Sequence, residues 1–268
     1  RKPDSNVNRS YSLGSFSTGA LWAFTPGYGL GATASLAQRA PTAEELYSNG
    51  VHHPTETYDK GDPSLKKEIS NNLELSLQKT EDKLRWKTNV YQNKVSNFIY
   101  GAIGSINLDP DGVLRDRNFK QANATLKGIE AELSYNLYET GWFGRVFMDS
   151  SRGELDNDQG NLPLQPATRT GLNAGYQDSR WRSSLSVIHT NAHDRTAKTN
   201  ELIPNPWVER TTKGYTNIDA NLSYTQRFGT TDLTWFMIAR NLLNEEIRLS
   251  TSLLKDYVPQ PGRNLIAV

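Results

Sequence analysis

Two adjacent histidines, His52 and His53, stand in a stretch crowded with oxygen donors: Glu44, Glu45, Tyr47, Glu56 and Asp62. Neutral imidazole combined with carboxylate is a common ligand set for zinc. The passage that carries them, Gln38 to Leu77, reads as a long loop held between two alternating strands. Candidate ligand-binding residues are therefore Glu44, Tyr47, His52, His53 and Asp62, with His52 and His53 as candidate metal ligands. The alternative is a solvated histidine pair, since neighbours in the chain aim at one ion only where the backbone turns between them. Thr42-x-x-Glu45 has the spacing of a capping box, which predicts a short helix that ties Glu45 to the backbone and leaves Glu44 freer.

Other candidates are weaker. His189 and His193 share strand parity with Trp181, Leu185 and Val187, which places them on an apolar face. Asn107-Leu108-Asp109-Pro110-Asp111-Gly112 opens like a calcium loop, but the twelfth-position glutamate is replaced by Lys120, so a plain turn is expected. Arg115-Asp116-Arg117 reads as a solvated loop run. No Gly-x-Ser-x-Gly elbow, His-Glu-x-x-His helix or phosphate-binding glycine loop is present, and the chain is expected not to be an enzyme. With no cysteine, thiolate metal sites and disulfides are excluded. A net charge of +1 over 268 residues gives no electrostatic footprint for nucleic acid.

The elements that must position these residues are strands. Ile218, Ala220, Leu222 and Tyr224 alternate with Asn217, Asp219, Asn221 and Ser223. Leu73, Leu75 and Leu77 alternate with Asn72, Glu74, Ser76 and Gln78, and Ile129 through Leu137 behaves in the same way. About eleven strands are expected, near residues 9–24, 28–39, 67–79, 83–100, 119–137, 142–154, 166–176, 181–193, 214–228, 231–242 and 262–268. Tight turns at 25–27, 80–82, 139–141, 177–179 and 229–231 alternate with long connections near 40–66, 101–120, 155–165, 194–213 and 243–261. Short turns at one end and long loops at the other are the asymmetry of a membrane barrel. The mean hydropathy of −0.65 does not oppose that reading, because only the outward half of each strand need be apolar. Trp22, Phe24, Tyr28, Trp142, Phe143 and Trp181 flank the tight turns, as an interfacial aromatic girdle would. Glu130, Glu132, Arg85 and Lys87 fall on the polar face, where they would line the lumen and pair with each other.

Three segments carry a family resemblance. The first is Gln38–Leu77, with Arg39-Ala40-Pro41-Thr42, Glu45-Leu46-Tyr47, Gly50-Val51-His52, Thr55-Glu56-Thr57-Tyr58, Gly61-Asp62 and the strand from Leu65 to Asn72. The second is Arg240-Asn241-Leu242-Leu243-Asn244 followed by Pro259-Gln260-Pro261-Gly262-Arg263, and the third is Asn118–Glu132. In order and on strand–loop boundaries, these resemble the barrels of TonB-dependent outer-membrane receptors, and within them the zinc-uptake receptors. The resemblance implies an all-β, antiparallel transmembrane β-barrel. Residues 1–268 would be the C-terminal half of a barrel of about 22 strands with long extracellular loops. The plug domain and energy-coupling segment would lie outside this stretch, which begins without Met and is expected to be an internal or processed fragment. It further implies residence in the outer membrane of a Gram-negative bacterium, contact with outer-membrane lipid, coupling to the TonB complex, and uptake of a small ligand or metal ion. No cofactor would be required, and zinc would be cargo. His52 falls where the zinc-uptake receptors carry His; His53 replaces an apolar residue there. A siderophore or haem receptor, with Tyr47, Tyr58, Tyr100 and Trp207 near the ligand, remains open. So do a self-contained autotransporter or surface-enzyme barrel of about twelve strands and a soluble sandwich.

Overall fold

The computed structural model describes residues 9–109, 112–137, 140–157, 159–197 and 209–267; side chains of 105–109, 112 and 113 are outside the description. The elements in chain order begin with β1 (Phe16–Thr25), β2 (Tyr28–Arg39), α1 (Ala43–Tyr47), β3 (Asn49–His52), a single 3-10 turn (His53–Thr55) and β4 (Thr57–Lys60). There follow β5 (Glu68–Lys79), β6 (Leu84–Asp109), β7 (Gly112–Leu137), β8 (Trp142–Leu155), β9 (Gly160–Asn161) and β10 (Arg169–Gln177). The chain ends with β11 (Trp181–Thr190), β12 (Tyr215–Phe228), β13 (Thr231–Arg240) and β14 (Asn264–Ala267). Among the described residues, the wall is the path β1-β2-β5-β6-β7-β8-β10-β11-β12-β13-β14, antiparallel throughout, with β3, β4 and β9 off it. The two edge strands β1 and β14 do not pair with each other, so the sheet is an open portion of a barrel. No helix among the described residues is long and apolar enough to cross a membrane.

Period-two alternation fixes the register. Leu75 lies opposite Val90, which lies opposite Ile129, and all three are exposed on the outer face. One residue along, Glu74, Tyr91 and Gly128 form the matching inward row. A one-residue slip would put the charged row into lipid. On the inner face Glu132 pairs with Arg145 at 2.6 Å, Asp149 with Arg169 at 3.1 Å and Asp219 with Arg240 at 3.0 Å. Glu132 thus chooses the arginine of β8 over Lys87, its directly opposite neighbour on β6. Two inward rings lie flat across cross-strand glycines. A Cβ on Gly128 would come within 2.4 Å of Tyr91, and one on Gly171 within 2.2 Å of Phe147.

The tight-turn end carries the expected aromatics. Trp22 and Phe24 stand 5.7 Å apart, Tyr28 and Trp86 6.2 Å, Trp142 and Tyr176 5.2 Å, and Trp181 and Tyr224 4.5 Å. Phe143 departs from that girdle: it follows Trp142 directly in the strand and so faces the lumen, where it covers Gly175.

Three expectations about the strands are corrected. Strand β1 begins at Phe16, and the preceding segment instead leans on the connection before β5, with Tyr11 Oη donating to Leu65 O at 3.0 Å. Residues 101–120 are not a loop: β6 and β7 run 26 residues each to a hairpin at the calcium-like stretch, whose Pro110 and Asp111 lie outside the described residues. The cause is cross-strand satisfaction, because β4 adds to β7 in parallel and gives the charged run partners. At roughly 3.4 Å per residue each arm is about 85 Å long, far more than a tilted membrane crossing uses. Finally, β11 stops at Thr190, so His193 lies beyond the strand parity assigned to it. The buried apolar residues gather at the end opposite the tight turns. One cluster holds Leu46, Leu65 and Ile99; the other holds Ala124, Leu155 and Leu162.

Candidate functional site

The connection between β2 and β5 folds back on the β6–β7 hairpin. Helix α1 starts with the capping box expected from Thr42 and Glu45: Glu45 N donates to Thr42 Oγ1 at 3.2 Å and Thr42 N to Glu45 Oε2 at 2.7 Å. Glu45 also accepts from Arg39, which reaches Glu68 at 2.7 Å. After α1, β3 and β4 form a small hairpin whose second strand lies parallel to Arg115–Asn118 of β7. That register sets Asp59 opposite Arg117.

Asp59, 4% exposed, receives the Arg117 guanidinium in a fork: Nε donates to Oδ1 at 3.0 Å and Nη2 to Oδ2. Arg117 also reaches Glu44 at 3.0 Å and lies 5.1 Å over the Phe119 ring. Lys60 pairs with Asp116 at 2.9 Å. Arg115 donates to Tyr257 Oη at 3.0 Å, which joins the last long connection to the same hairpin. The Arg115–Asp116–Arg117 run is therefore a paired, half-buried ladder and not a solvated loop. Its partners were legible as charge complementarity: Asp59-Lys60 on one short alternating segment, Asp116-Arg117 on the other.

The five candidate ligand residues take different places. His52 and His53 are both exposed, at the end of β3 and the start of the 3-10 turn. His52 Nδ1 contacts Thr55 Oγ1 at 2.7 Å, Thr55 Oγ1 contacts Thr57 Oγ1 at 2.8 Å, and Thr57 Oγ1 donates to Asp59 Oδ1 at 2.6 Å. Glu44 is drawn to Arg117. Tyr47 packs its ring on Leu46, Leu65 and Ile99. Asp62 closes a local turn, accepting from Ser64 N at 2.7 Å and Ser64 Oγ at 2.6 Å. Among the described residues, no group of three or more His, Asp or Glu side chains is gathered closely enough to hold a metal ion. Sequence reasoning missed Thr55, Thr57, Asp59 and Arg117, which lie beneath the exposed histidines.

A second feature ties the remaining long connections together. Glu209 Oε1 accepts from Leu164 N at 3.0 Å and Lys255 Nζ at 3.2 Å, while Oε2 accepts from Ala197 N at 3.0 Å. One buried carboxylate thus joins the connections after β8, β11 and β13. Lys255 is 3% exposed. His193, also 3% exposed, is paired through its backbone with Thr212. Its ring faces Glu209, Lys255, Arg195 and Asp194. Burial first, then Lys255 and Arg195, push the imidazole pKa down, against the opposing pull of Glu209 and Asp194. The unfolded ring gains its proton near pH 6.5, the folded ring only at lower pH, so the unfolded state binds more protons in between. His193 therefore contributes stability that is complete above about pH 6.5 and is lost as pH falls through the folded value. Proteolysis of these connections should accelerate as pH drops below about 6.5, and His193→Gln should flatten that dependence.

Residues 1–242 match the family model described as TonB dependent receptor-like, beta-barrel. The chain belongs to this family of β-barrels, whose members are TonB-dependent outer-membrane receptors. It is 26% identical over 221 residues to a vitamin B12 transporter, BtuB, of Photobacterium profundum, covering 78% of this chain and 32% of the relative. It is 30% identical over 172 residues to a probable hemoglobin and hemoglobin-haptoglobin-binding protein of Haemophilus influenzae, covering 58% of this chain and 17% of the relative. The chain thus spans a third or less of these relatives. Among solved structures, the copper transporter OprC superposes with a TM-score of 0.75 at 19% identity, over 96% of this chain and 39% of that one. The siderophore receptor PirA of Acinetobacter baumannii gives 0.69 at 18%, over 94% and 40%.

Proposed function

We propose that this chain supplies the C-terminal half of the barrel of a receptor for energy-coupled uptake of a scarce metal, zinc foremost. The exposed His52–His53 pair would make the first contact with the metal. One observation carries this reading. The two imidazoles ride on a small hairpin that the buried Asp59–Arg117 pair pins to the long β6–β7 hairpin. Ligand groups on a connection fixed to a rigid scaffold are positioned without paying for their ordering at the moment of capture. Two imidazoles from the protein with water in the remaining positions suit a cargo ion that must be released again, whereas a resident zinc takes a closed four-ligand set. Transport past a plug, driven through the TonB complex from the inner membrane, belongs to the same reading.

Calorimetric titration of zinc into the complete gene product tests it. His52→Ala should weaken binding at least tenfold, and unchanged zinc affinity would refute the assignment. A second reading, capture of a metal already in an organic chelate, has its own support. Tyr58 stands beside the histidines with its hydroxyl donating to Asn49 Oδ1 at 3.1 Å and Lys60 5.5 Å from its ring centroid, a polar aromatic surface suited to a flat ligand. Tyr100 packs in the second apolar cluster, and Trp207 lies outside the described residues. Binding of haem or a ferric siderophore with no zinc binding would select this reading.

A further inference from the structure

We propose that Asp59, acting through Thr57 and Thr55, sets the tautomer of His52 and presents its Nε2 lone pair outward. The inference rests on His52 being the capture residue, but the state of the ring is measurable without any ligand. It follows from counting protons along a chain of short contacts. Both oxygens of Asp59 lie in the guanidinium fork of Arg117, so the group is an acceptor only. Thr57 Oγ1, 2.6 Å from Asp59 Oδ1, must spend its one hydroxyl proton there. The 2.8 Å contact between Thr57 Oγ1 and Thr55 Oγ1 then needs the proton of Thr55. With that proton spent, the 2.7 Å contact between Thr55 Oγ1 and His52 Nδ1 requires a proton on Nδ1. The competing acceptor for Thr55, the carbonyl of His52 at 3.3 Å, would leave two oxygens 2.8 Å apart with no hydrogen between them.

Burial makes the direction binding. Thr57 is 1% exposed, Asp59 4% and Thr55 7%, so no water relieves a mismatch. His52 itself is exposed. A histidine side chain in water favours the proton on Nε2; the relay reverses that preference and leaves Nε2 as a lone pair facing solvent. An electrophile, a metal ion above all, then meets a ligand atom that has no proton to lose. Thr55, Thr57 and Asp59 are positioning residues that act through His52.

Histidine-selective nitrogen-15 NMR on the complete gene product in membranes, recorded at alkaline pH, tests this directly. His52→Gln identifies the signal. Wild type should show a protonated Nδ1 and a bare Nε2; the opposite tautomer or a mixture would overturn the proposal without any further variant. Thr57→Val, or Thr55→Val if the former does not assemble, should move the proton to Nε2. Thr57→Ser, which restores the hydroxyl, should return it to Nδ1. A tautomer indifferent to the loss of the hydroxyl also overturns the relay. Zinc affinity should fall about tenfold in Thr57→Val, the usual cost of losing a partner behind a metal-binding imidazole. Failure of every form to bind zinc, with the tautomer responding as described, removes the metal reading and leaves the relay standing.

Discussion

Asp59→Ala should loosen the connection between β2 and β5 from the β6–β7 hairpin. Arg117, whose side chain is 11% exposed, would keep the Phe119 ring and, as a carboxylate among the described residues, Glu44, which is 58% exposed. Removing one partner of such a pair costs about 3–5 kcal/mol, because the remaining charge stays buried and poorly paired. The other ties of that connection are the Arg39–Glu45 and Lys60–Asp116 pairs, the Leu46, Leu65 and Ile99 cluster, and the Gln121 bonds to Lys66. The parallel ladder between β4 and β7 covers four residue pairs, from Thr57–Arg115 to Lys60–Asn118. A cost of that size is comparable to all that so short a ladder supplies at about 1 kcal/mol per net hydrogen bond. On intact cells, residues 40–66 should become sensitive to added protease in Asp59→Ala while the barrel remains assembled. Asp59→Leu combined with Arg117→Met, which removes both charges and keeps the volume, should recover most of the protection. A segment as resistant in Asp59→Ala as in wild type would mean that the apolar contacts of Leu46 and Leu65 hold it unaided.

Asn241→Ala should impair closure of the last described strand more than any other single change near it. Asn241 is 4% exposed and left-handed, with φ 49. Its side chain donates to Glu245 O at 2.9 Å and Pro261 O at 3.2 Å and accepts from Glu245 N at 2.9 Å. Its own N–H donates to Asp219 Oδ1 at 2.9 Å, which ties β12 to the same point. Alanine removes three side-chain hydrogen bonds to the backbone of Glu245 and Pro261, at about 1 kcal/mol each. Alanine also lacks the local side-chain bonds that let asparagine sit in the left-handed region, which restores part of the roughly 1–2 kcal/mol penalty of that conformation. A total loss of roughly 3–4 kcal/mol should appear as a lower urea midpoint of the refolded protein and a smaller heat-modifiable fraction in the outer membrane. Asn241→Gly should recover only the conformational part. Equal stability of the Ala and wild-type proteins would show that water takes over all three groups.

The same asparagine explains why one motif was legible. In Arg240-Asn241-Leu242-Leu243-Asn244, the two asparagines reach across to the stretch before β14: Asn241 to Pro261, and Asn244 Oδ1 to Arg263 N at 3.0 Å. Two distant motifs were one structural joint. The wall strands were legible for a similar reason, since lipid on one face and water on the other impose an alternation that one sequence displays by itself. Where alternation stopped being informative, reading failed. Residues 101–120 suggested a loop with a solvated charged run, because Thr57–Lys60, which pair with Arg115–Asn118, are non-local. The histidines were visible by type. The residues under them were not, because Thr55, Thr57 and Asp59 acquire meaning only when a turn places alternate side chains in contact.

The β6–β7 hairpin does not leave the wall as a straight extension. Its register shifts between Val95 and Phe98, with Asn97 left-handed at φ 57. At that bend the carboxamides cross-brace. Asn123 Oδ1 accepts from Asn97 N at 3.2 Å; Gln121 Nε2 donates to Asn97 O at 2.9 Å and Lys66 O at 2.6 Å; and Gln121 Oε1 accepts from Lys66 N at 2.8 Å. The arm beyond is thus a cantilever rooted in two amide side chains, those of Gln121 and Asn123. A cantilever transmits load to its root, so a force on the β3–β4 hairpin reaches the point where Gln121 grips Lys66, next to the start of β5. From there the disturbance has only the staves to travel along.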